Sequence, residues 1–454
     1  MISSIFLMLF FSYGHVYGGF LLPGTEGIFG QGQLAGRHGV LLLLWASLFA
    51  LAAFVVSRLK QSIREVSQLL NVIALVACAI PLWRIVVFEY NLRQPWPVQA
   101  FASPVNLPPP TSAQAYPDIY YVILDGYGRE DILARDFDFD NSHFVDLLET
   151  QGFFVARRSQ ANYILTVHSL AASLNMNYLD FLGQDPGPES QDPTPTSRLI
   201  RWSLVAKLLK ERGYSLVAFS TGNRATEMEI YDAYYQPRNS AATVFERLVL
   251  DTSLFVIWHD VARWLGWPEL YLGYQAHRER INFALDGLAA TAETAGPKFV
   301  FVHVIIPHPP FVFHADGTPV QASAPFSLMD GDLYLGTPEE YIQGYREQLT
   351  YINTRIEAVV QAILSNSSQP PVIILQGDHG PGAYLRMNAP DQRALEQRLP
   401  ILNAYYVPQE VRAALYDEIS PVNTFRILFN VLFDAQLPLL PDKSYFTTLS
   451  KPYL

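Results

Sequence analysis

The chain is almost without cysteine: its 454 residues include one, Cys78, which lies inside an apolar run. That excludes an intrachain disulfide and a thiolate metal cage, so a domain outside the cytoplasm would depend on its core and on a metal held by other ligands. Basic residues are also scarce, with 31 Lys and Arg against 42 Asp and Glu and a net charge of -11. No clustered positive surface is on offer to replace phosphate counterions, which excludes nucleic acid as a main partner. No internal repeat of about 20–50 residues is evident. Charge is missing entirely from Val40 to Val56, VLLLLWASLFALAAFVV, although charged residues are scattered normally after about residue 110. The apolar excess, 50% of the chain, is therefore concentrated near the N-terminus.

With Gly39 and Ser57 the uncharged run reaches the length that crosses a bilayer. A second apolar stretch, within about 69–88, is interrupted only by Pro81 and by Arg84, which sits near one end where its head can reach the interface. A first one, about 2–22, is broken by Ser12, Tyr13, Gly14 and His15, and it lacks the basic start and cleavage site of a signal peptide. Arg58, Lys60 and Arg64 fill the short connector after residue 57, and such a cluster is retained in the cytoplasm. The expectation is a multi-pass protein of the cytoplasmic membrane with about three spans, an inside N-terminus, and everything after about residue 92 outside. The abrupt apolar start adds the expectation that further helices precede this chain. Residues 93–117 hold Pro95, Pro97, Pro104 and Pro108 to Pro110, which favours an extended linker.

From residue 118 to 454, short apolar β-rich runs alternate with helical stretches. DIYYVIL (118–124), SLVAFS (215–220), KFVFVHVI (298–305), PVIILQ (371–376) and ILNAYYV (401–407) read as strands buried on both faces. Helices are predicted from Asp140 or Asn141 to Leu148, from Val167 to Met176, from the Thr337-Pro-Glu-Glu340 capping signature towards Ser365, and from Ser420-Pro421 to Leu432. The fold class is α/β, a mostly parallel central sheet flanked by helices, whose active site belongs at the carboxyl ends of the strands. Residues 221–295 show no clean period and stay unassigned. The aromatic stretch Tyr231 to Tyr274 reads as packing before it reads as a substrate groove.

Three polar groups follow apolar strands: Asp125 in VILDGYG, His308 in HVIIPHPPF, and Asp378-His379 in ILQGDHGPG. Carboxylate and imidazole ligands suit a divalent cation, and strand ends are where residues distant in sequence converge. Thr166, at the start of a helix, offers a hydroxyl at the positive end of the helix dipole, although Thr is also a common N-cap. Arg129, Arg224 and Arg346 are possible phosphate partners, each more readily an ordinary structural arginine.

In this order, Asp-Gly, Thr-x-x-Ser, His-Pro-Pro and Gly-Asp-His-Gly resemble the alkaline phosphatase/sulfatase superfamily. With its membrane helices the chain looks most like the branch containing lipoteichoic acid synthases and phosphoethanolamine transferases. The resemblance covers about 117–434 and implies that Asp125, Thr166, Asp378 and His379 bind one divalent metal, Mn or Zn favoured and Mg or Ca allowed. It further implies that Thr166 is the nucleophile and that His308, with His303 as a second candidate, contacts the transferred group. Asp125 stands where many of the lipoteichoic acid branch have Glu. Where sulfatases carry Cys/Ser-x-Pro-x-Arg, this chain has Thr166-Val-His-Ser-Leu170, which disfavours sulfate-ester hydrolysis.

The resemblance thus implies a metal-dependent phosphotransferase or phosphodiesterase acting on phospho-headgroups of membrane lipid or lipid-linked substrates. A sulfatase and a non-catalytic protein binding the cell envelope are the alternatives.

Overall fold

The computed structural model of the protein describes residues 2–19, 34–58, 63–94, 105, 107–109, 116–238, 249, 252–258, 272–294, 296–321 and 326–453. Most of the 93–117 linker, Lys60, residues 20–22 of the first apolar stretch and much of 239–271 lie outside them. The chain divides into two compact units, one of residues 1–89 with 240–276 and one of residues 90–239 with 277–454.

In the first unit the three apolar stretches form the helices Ile2–Gly19, Leu34–Arg58 and Ile63–Leu92. Among the described residues one helix, His38–Arg58, is long and apolar enough to cross a membrane, and Ile2–Tyr17 is a shorter apolar helix. Two of the polar groups that interrupt the first stretch find local partners, Ser12 Oγ donating to the Leu9 carbonyl at 3.1 Å and Tyr13 pairing with His38. The buried Tyr13 hydroxyl lies 2.8 Å from His38 Nδ1, and Trp45 Nε1–H donates to the Leu9 carbonyl at 2.8 Å. Part of the unassigned region packs here as well. The Leu254 N–H donates to the Phe10 carbonyl at 2.8 Å, and the Phe255 ring stands edge-on to Phe10 with centroids 5.1 Å apart.

The second unit is built on a seven-stranded sheet. In chain order the strands are β1 (Ile119–Leu124), β2 (Phe154–Val155), β3 (Ser215–Phe219), β4 (Ala233–Tyr235), β5 (Lys298–Val304), β6 (Val372–Gly377) and β7 (Asn403–Tyr406), arranged β2-β7-β6-β1-β5-β3-β4. Pairings from β6 through β4 are parallel, whereas β7 joins β6 and β2 joins β7 antiparallel. The sheet is therefore mixed, and the departure from parallel is confined to one edge. Every residue of β1, β5 and β6 is buried, as strands covered by helices on both faces must be.

Local signals account for the helices that position the site. Thr337 caps Pro338–Asn366 with a capping box, its hydroxyl accepting the Glu340 N–H while the Glu340 side chain accepts the Thr337 N–H. Pro421 in the first turn opens Pro421–Phe433. The helix Thr166–Asn175 packs beside it, with Leu170, Leu174, Phe425 and Phe429 in one large core cluster. A buried polar contact fixes this helix to the sheet: the Tyr121 hydroxyl on β1 lies 2.7 Å from Gln376 Oε1 and 3.0 Å from Ser173 Oγ. Leu107 and Tyr116 also pack on that core, so the described part of the linker ends against the sheet.

Candidate active site

The three central strands deliver the polar residues to one edge. β1 lies between β6 and β5, and its last residue, Leu124, is level with both Val304 and Gly377. Asp125 leaves β1, Asp378 and His379 leave β6, and His308 stands four residues past the end of β5. This is the carboxyl edge, where an open parallel sheet leaves room for ligands. The Asp125-Gly126 turn ties the strands together. Gly126 has φ +77°, a conformation L side chains rarely adopt, and its N–H donates to Asp378 Oδ1 at 3.0 Å. His308 N–H donates in turn to the Asp125 carbonyl at 3.0 Å.

One oxygen of each aspartate is thereby committed and the other is left. Asp125 Oδ2 lies 3.0 Å from His303 Nε2, and His303 Nδ1 is 3.2 Å from the Thr226 hydroxyl. Asp125 Oδ1 and Asp378 Oδ2 are buried with no hydrogen-bond partner. Both lie beside His379 Nε2, at 3.6 and 3.2 Å. His379 Nδ1 is 3.0 Å from the Gly380 carbonyl, an acceptor only, so Nδ1 carries the ring proton and Nε2 presents its lone pair. Thr166 Oγ1 completes the group at 3.0 Å from the same nitrogen. Asp125, Asp378 and His379 form a buried group whose ligand atoms lie within 4.8 Å of one another.

Two orphaned carboxylate oxygens and an imidazole lone pair turned towards one another are what a divalent cation would reconcile. Buried anionic atoms without donors otherwise cost free energy. The donor set, oxygen with one nitrogen, suits Zn²⁺ or Mn²⁺. Electrostatics agree. Burial works to raise the Asp125 carboxyl, but His308 and the bond from His303 outweigh it and hold Asp125 well below the usual carboxylate range. Burial and then the Arg398 charge push His379 below its ordinary value, so its ring stays neutral.

Thr166 is not a helix cap. The capping position is Leu165, which has no side-chain acceptor, and the Thr166 hydroxyl is turned to His379. Thr166 is also partly exposed, whereas Asp125, Asp378 and His379 are buried. His308 also borders the site, its ring centroid 6.1 Å from that of His379 and its Nδ1 2.6 Å from the Pro309 carbonyl. His303 is enclosed behind Asp125, the inward phase of β5, with both nitrogens engaged. Burial opposes its protonation, but the bond to Asp125 raises its pKa.

Two site residues escaped the sequence reading. Arg398 is buried, with Nη2 2.9 Å from His379 Nε2, Nε donating to the Ile164 carbonyl at 3.0 Å and Nη1 donating to the Gly380 carbonyl at 3.0 Å. Nη1 also pairs with the buried carboxylate of Asp330. In sequence Arg398 is a basic residue in the last turn of the helix Gln392–Arg398, where dipole complementarity is explanation enough. The arginines singled out from sequence have other settings. Arg129 is held by Asp131 at 2.7 Å, Arg224 lies in the 3₁₀ turn Arg224–Thr226, and Arg346 is on the helix Pro338–Asn366.

Comparison with known proteins supplies the family. The family model described as Sulfatase matches residues 117–419. Similar solved structures include the C-terminal periplasmic domain of EptC from Escherichia coli in complex with Zn, at 11% identity and TM-score 0.46, covering 72% of this chain and 87% of that one. The lipooligosaccharide phosphoethanolamine transferase EptA from Neisseria meningitidis is 12% identical with TM-score 0.44, covering 89% of this chain and 70% of that one. A putative sulfatase from Bacteroides thetaiotaomicron is 12% identical with TM-score 0.42, covering 74% of each chain. No curated protein matches the chain.

Proposed function

The chain belongs to the sulfatase family, within the alkaline phosphatase/sulfatase superfamily, and we propose that it is a membrane-anchored, metal-dependent phosphotransferase or phosphodiesterase with Thr166 as nucleophile. The observation that carries this reading is Thr166 Oγ1 at 3.0 Å from His379 Nε2, beside the unpartnered oxygens of Asp125 and Asp378. Asp125, Asp378, His379 and Thr166 would hold one divalent ion. When bound, that ion supplies a lowered hydroxyl pKa and positive charge against the phosphoryl oxygens.

The residues of the chain divide the remaining work. Thr166 Oγ1 forms a bond to phosphorus as the ester bond to the leaving alcohol breaks, its own proton passing to solvent. His308 donates to a phosphoryl oxygen or to the departing alcohol. Arg398, held beside His379, adds a guanidinium to which phosphoryl oxygens can bind. His303 keeps Asp125 oriented, with one carboxylate oxygen bound and the other free. The phospho-threonine is then resolved by water or by an acceptor hydroxyl, giving hydrolysis or headgroup transfer respectively.

A lipid or lipid-linked phospho-substrate is favoured by the apolar helices of the same chain. In the helix Ile63–Leu92, Val72, Ile73, Leu75, Val76, Ile80, Leu82, Trp83 and Ile85 are all exposed, as a span facing acyl chains would leave them. We take the basic connector as cytoplasmic and the three apolar stretches as spans, which would put the catalytic domain outside the cytoplasmic membrane. Sulfate-ester hydrolysis is the less favoured chemistry, because Thr replaces the Cys or Ser that sulfatases convert.

Side-by-side turnover of a chromogenic phosphodiester and an aryl sulfate tests the reading. Metal-loaded full chain is expected to turn over the phosphodiester, and Thr166→Ala to lower that rate by roughly a thousandfold or more. Turnover that survives exhaustive chelation or the Thr166→Ala change would contradict it, and turnover of the sulfate alone would move the chemistry to the alternative.

A further inference from the structure

One buried carboxylate beside the site has no part in the chemistry above. Asp330 is 2% exposed, and both its oxygens are engaged. Oδ1 accepts from the Tyr341 hydroxyl at 2.8 Å and from the Gly331 N–H at 2.8 Å. Oδ2 takes Arg398 Nη1 and lies 3.6 Å from His308 Nε2. Burial works to raise the carboxyl, but Arg398 and then His308 outweigh it and bring it down to about 2. Asp330 therefore carries its charge throughout the physiological range.

A separate observation points to the same group. A Cβ on Gly382, at the end of the Gly-Asp-His-Gly-Pro-Gly run, would stand 2.6 Å from Asp330 Oδ2. The glycine three residues past His379 leaves the space that the carboxylate fills. Gly382 N–H also donates to the Tyr341 hydroxyl at 2.9 Å. A chain of hydrogen bonds thus runs from the end of this loop through Tyr341 and Asp330 to Arg398. From the other side the Asp330 turn is pinned by Gly331, φ +62°, where a Cβ would meet the Leu385 carbonyl at 2.5 Å.

We propose that Asp330 is a positioning residue for oxyanion binding: its carboxylate fixes the Arg398 guanidinium and the His308 ring beside Thr166, and Gly382 sets where that carboxylate sits. Arg398 spends Nε and Nη1 on Ile164, Gly380 and Asp330, which leaves the Nη2 edge directed towards Thr166 and His379. A guanidinium on an unconstrained stem samples many rotamers. One clamped by three fixed acceptors is already aimed when the anion arrives, and such preorganised donors bind developing charge best. The proposal rests on the phosphoryl-transfer reading for the identity of the anion, while the positioning itself is read by binding.

The test uses the full chain in detergent, loaded with Mn²⁺, with inorganic phosphate and inorganic sulfate as calorimetric probes and Mn²⁺ affinity measured alongside. Asp330→Asn is expected to weaken phosphate binding by about 10–100-fold, with metal affinity moving by less than about threefold. Gly382→Ala keeps the carboxylate but displaces it, so it should show the same phosphate-selective loss, and the double variant should lose less than the product of the two. Asp330→Glu is expected to recover part of the affinity. A merely structural residue would weaken metal and phosphate together, and that result, or unchanged phosphate affinity in Asp330→Asn, overturns the proposal. Should Asp330→Asn fail to fold, Gly382→Ala decides alone by the same two readouts. Wild-type chain that binds neither anion would overturn the oxyanion reading of the site and the proposal with it. Wild-type binding that the variants leave untouched would overturn the positioning role only.

Discussion

β1 is bracketed by two aspartates whose surroundings are opposite, Asp118 partly exposed and Asp125 buried. At its amino end Asp118 is fully paired: Oδ1 accepts the Lys298 N–H at 3.1 Å and Oδ2 accepts Lys298 Nζ at 2.5 Å, with Nζ also donating to the Thr294 carbonyl at 2.9 Å. At its carboxyl end Asp125 has one oxygen held by His303 and the other without a partner. Residue type and strand are shared and the Asp118 side chain is only 14% exposed, so the difference lies chiefly in what the protein supplies. Where the fold provides a donor for every oxygen, the carboxylate serves the fold. Where it provides all but one, and two other lone-pair atoms face the same point, the carboxylate is kept for a ligand.

The same substitution at the two ends should therefore separate the two roles. Asp125→Asn is expected to weaken divalent-metal binding by roughly a thousandfold, about 4 kcal/mol, since removing even an outer partner of a ligand typically costs about 10–100-fold. Asp118→Asn should do the reverse. It strands the ammonium of Lys298, whose side chain is 1% exposed, and should cost about 3 kcal/mol of stability while metal affinity stays at the wild-type value. Calorimetric metal titration and denaturant unfolding of both variants check the pair, and a variant that lost both properties would erase the distinction.

A smaller effect sharpens the contrast by pH. Burial pushes His168, on the helix that begins at Thr166, down to about 4, with Nε2 2.9 Å from the Pro452 carbonyl. The unfolded imidazole binds its proton near pH 6.5 and the folded one does not, so between those values the unfolded state holds more protons and stability falls as pH falls. Lowering the pH from 7 to 4.5 should remove about 2 kcal/mol through this residue, and His168→Asn should flatten that slope when unfolding is followed at both pH values. An unchanged slope would remove His168 from the account.

The asymmetry of β1 also marks what was legible in the sequence. The five longer strands could be read because burial on both faces leaves an unbroken apolar run. β2 and β4, of two and three residues, are too short to carry a period, and nothing local in ILNAYYV says that β7 runs antiparallel. Asp125, Thr166, Asp378 and His379 were legible because each follows a strand or opens a helix within a recognisable order. Arg398 and Asp330 were not, since their meaning comes from a pairing across 68 residues of chain. His303 could be named from sequence, but only the folded side-chain contact shows it facing Asp125.

The most direct test of the central claim is rapid-quench mass spectrometry of the metal-loaded full chain during turnover of a phosphodiester. The account predicts a phospho-adduct on the peptide carrying Thr166, formed before steady state and missing from Thr166→Ala. An adduct on another residue, or full turnover by Thr166→Ala with none, would contradict it.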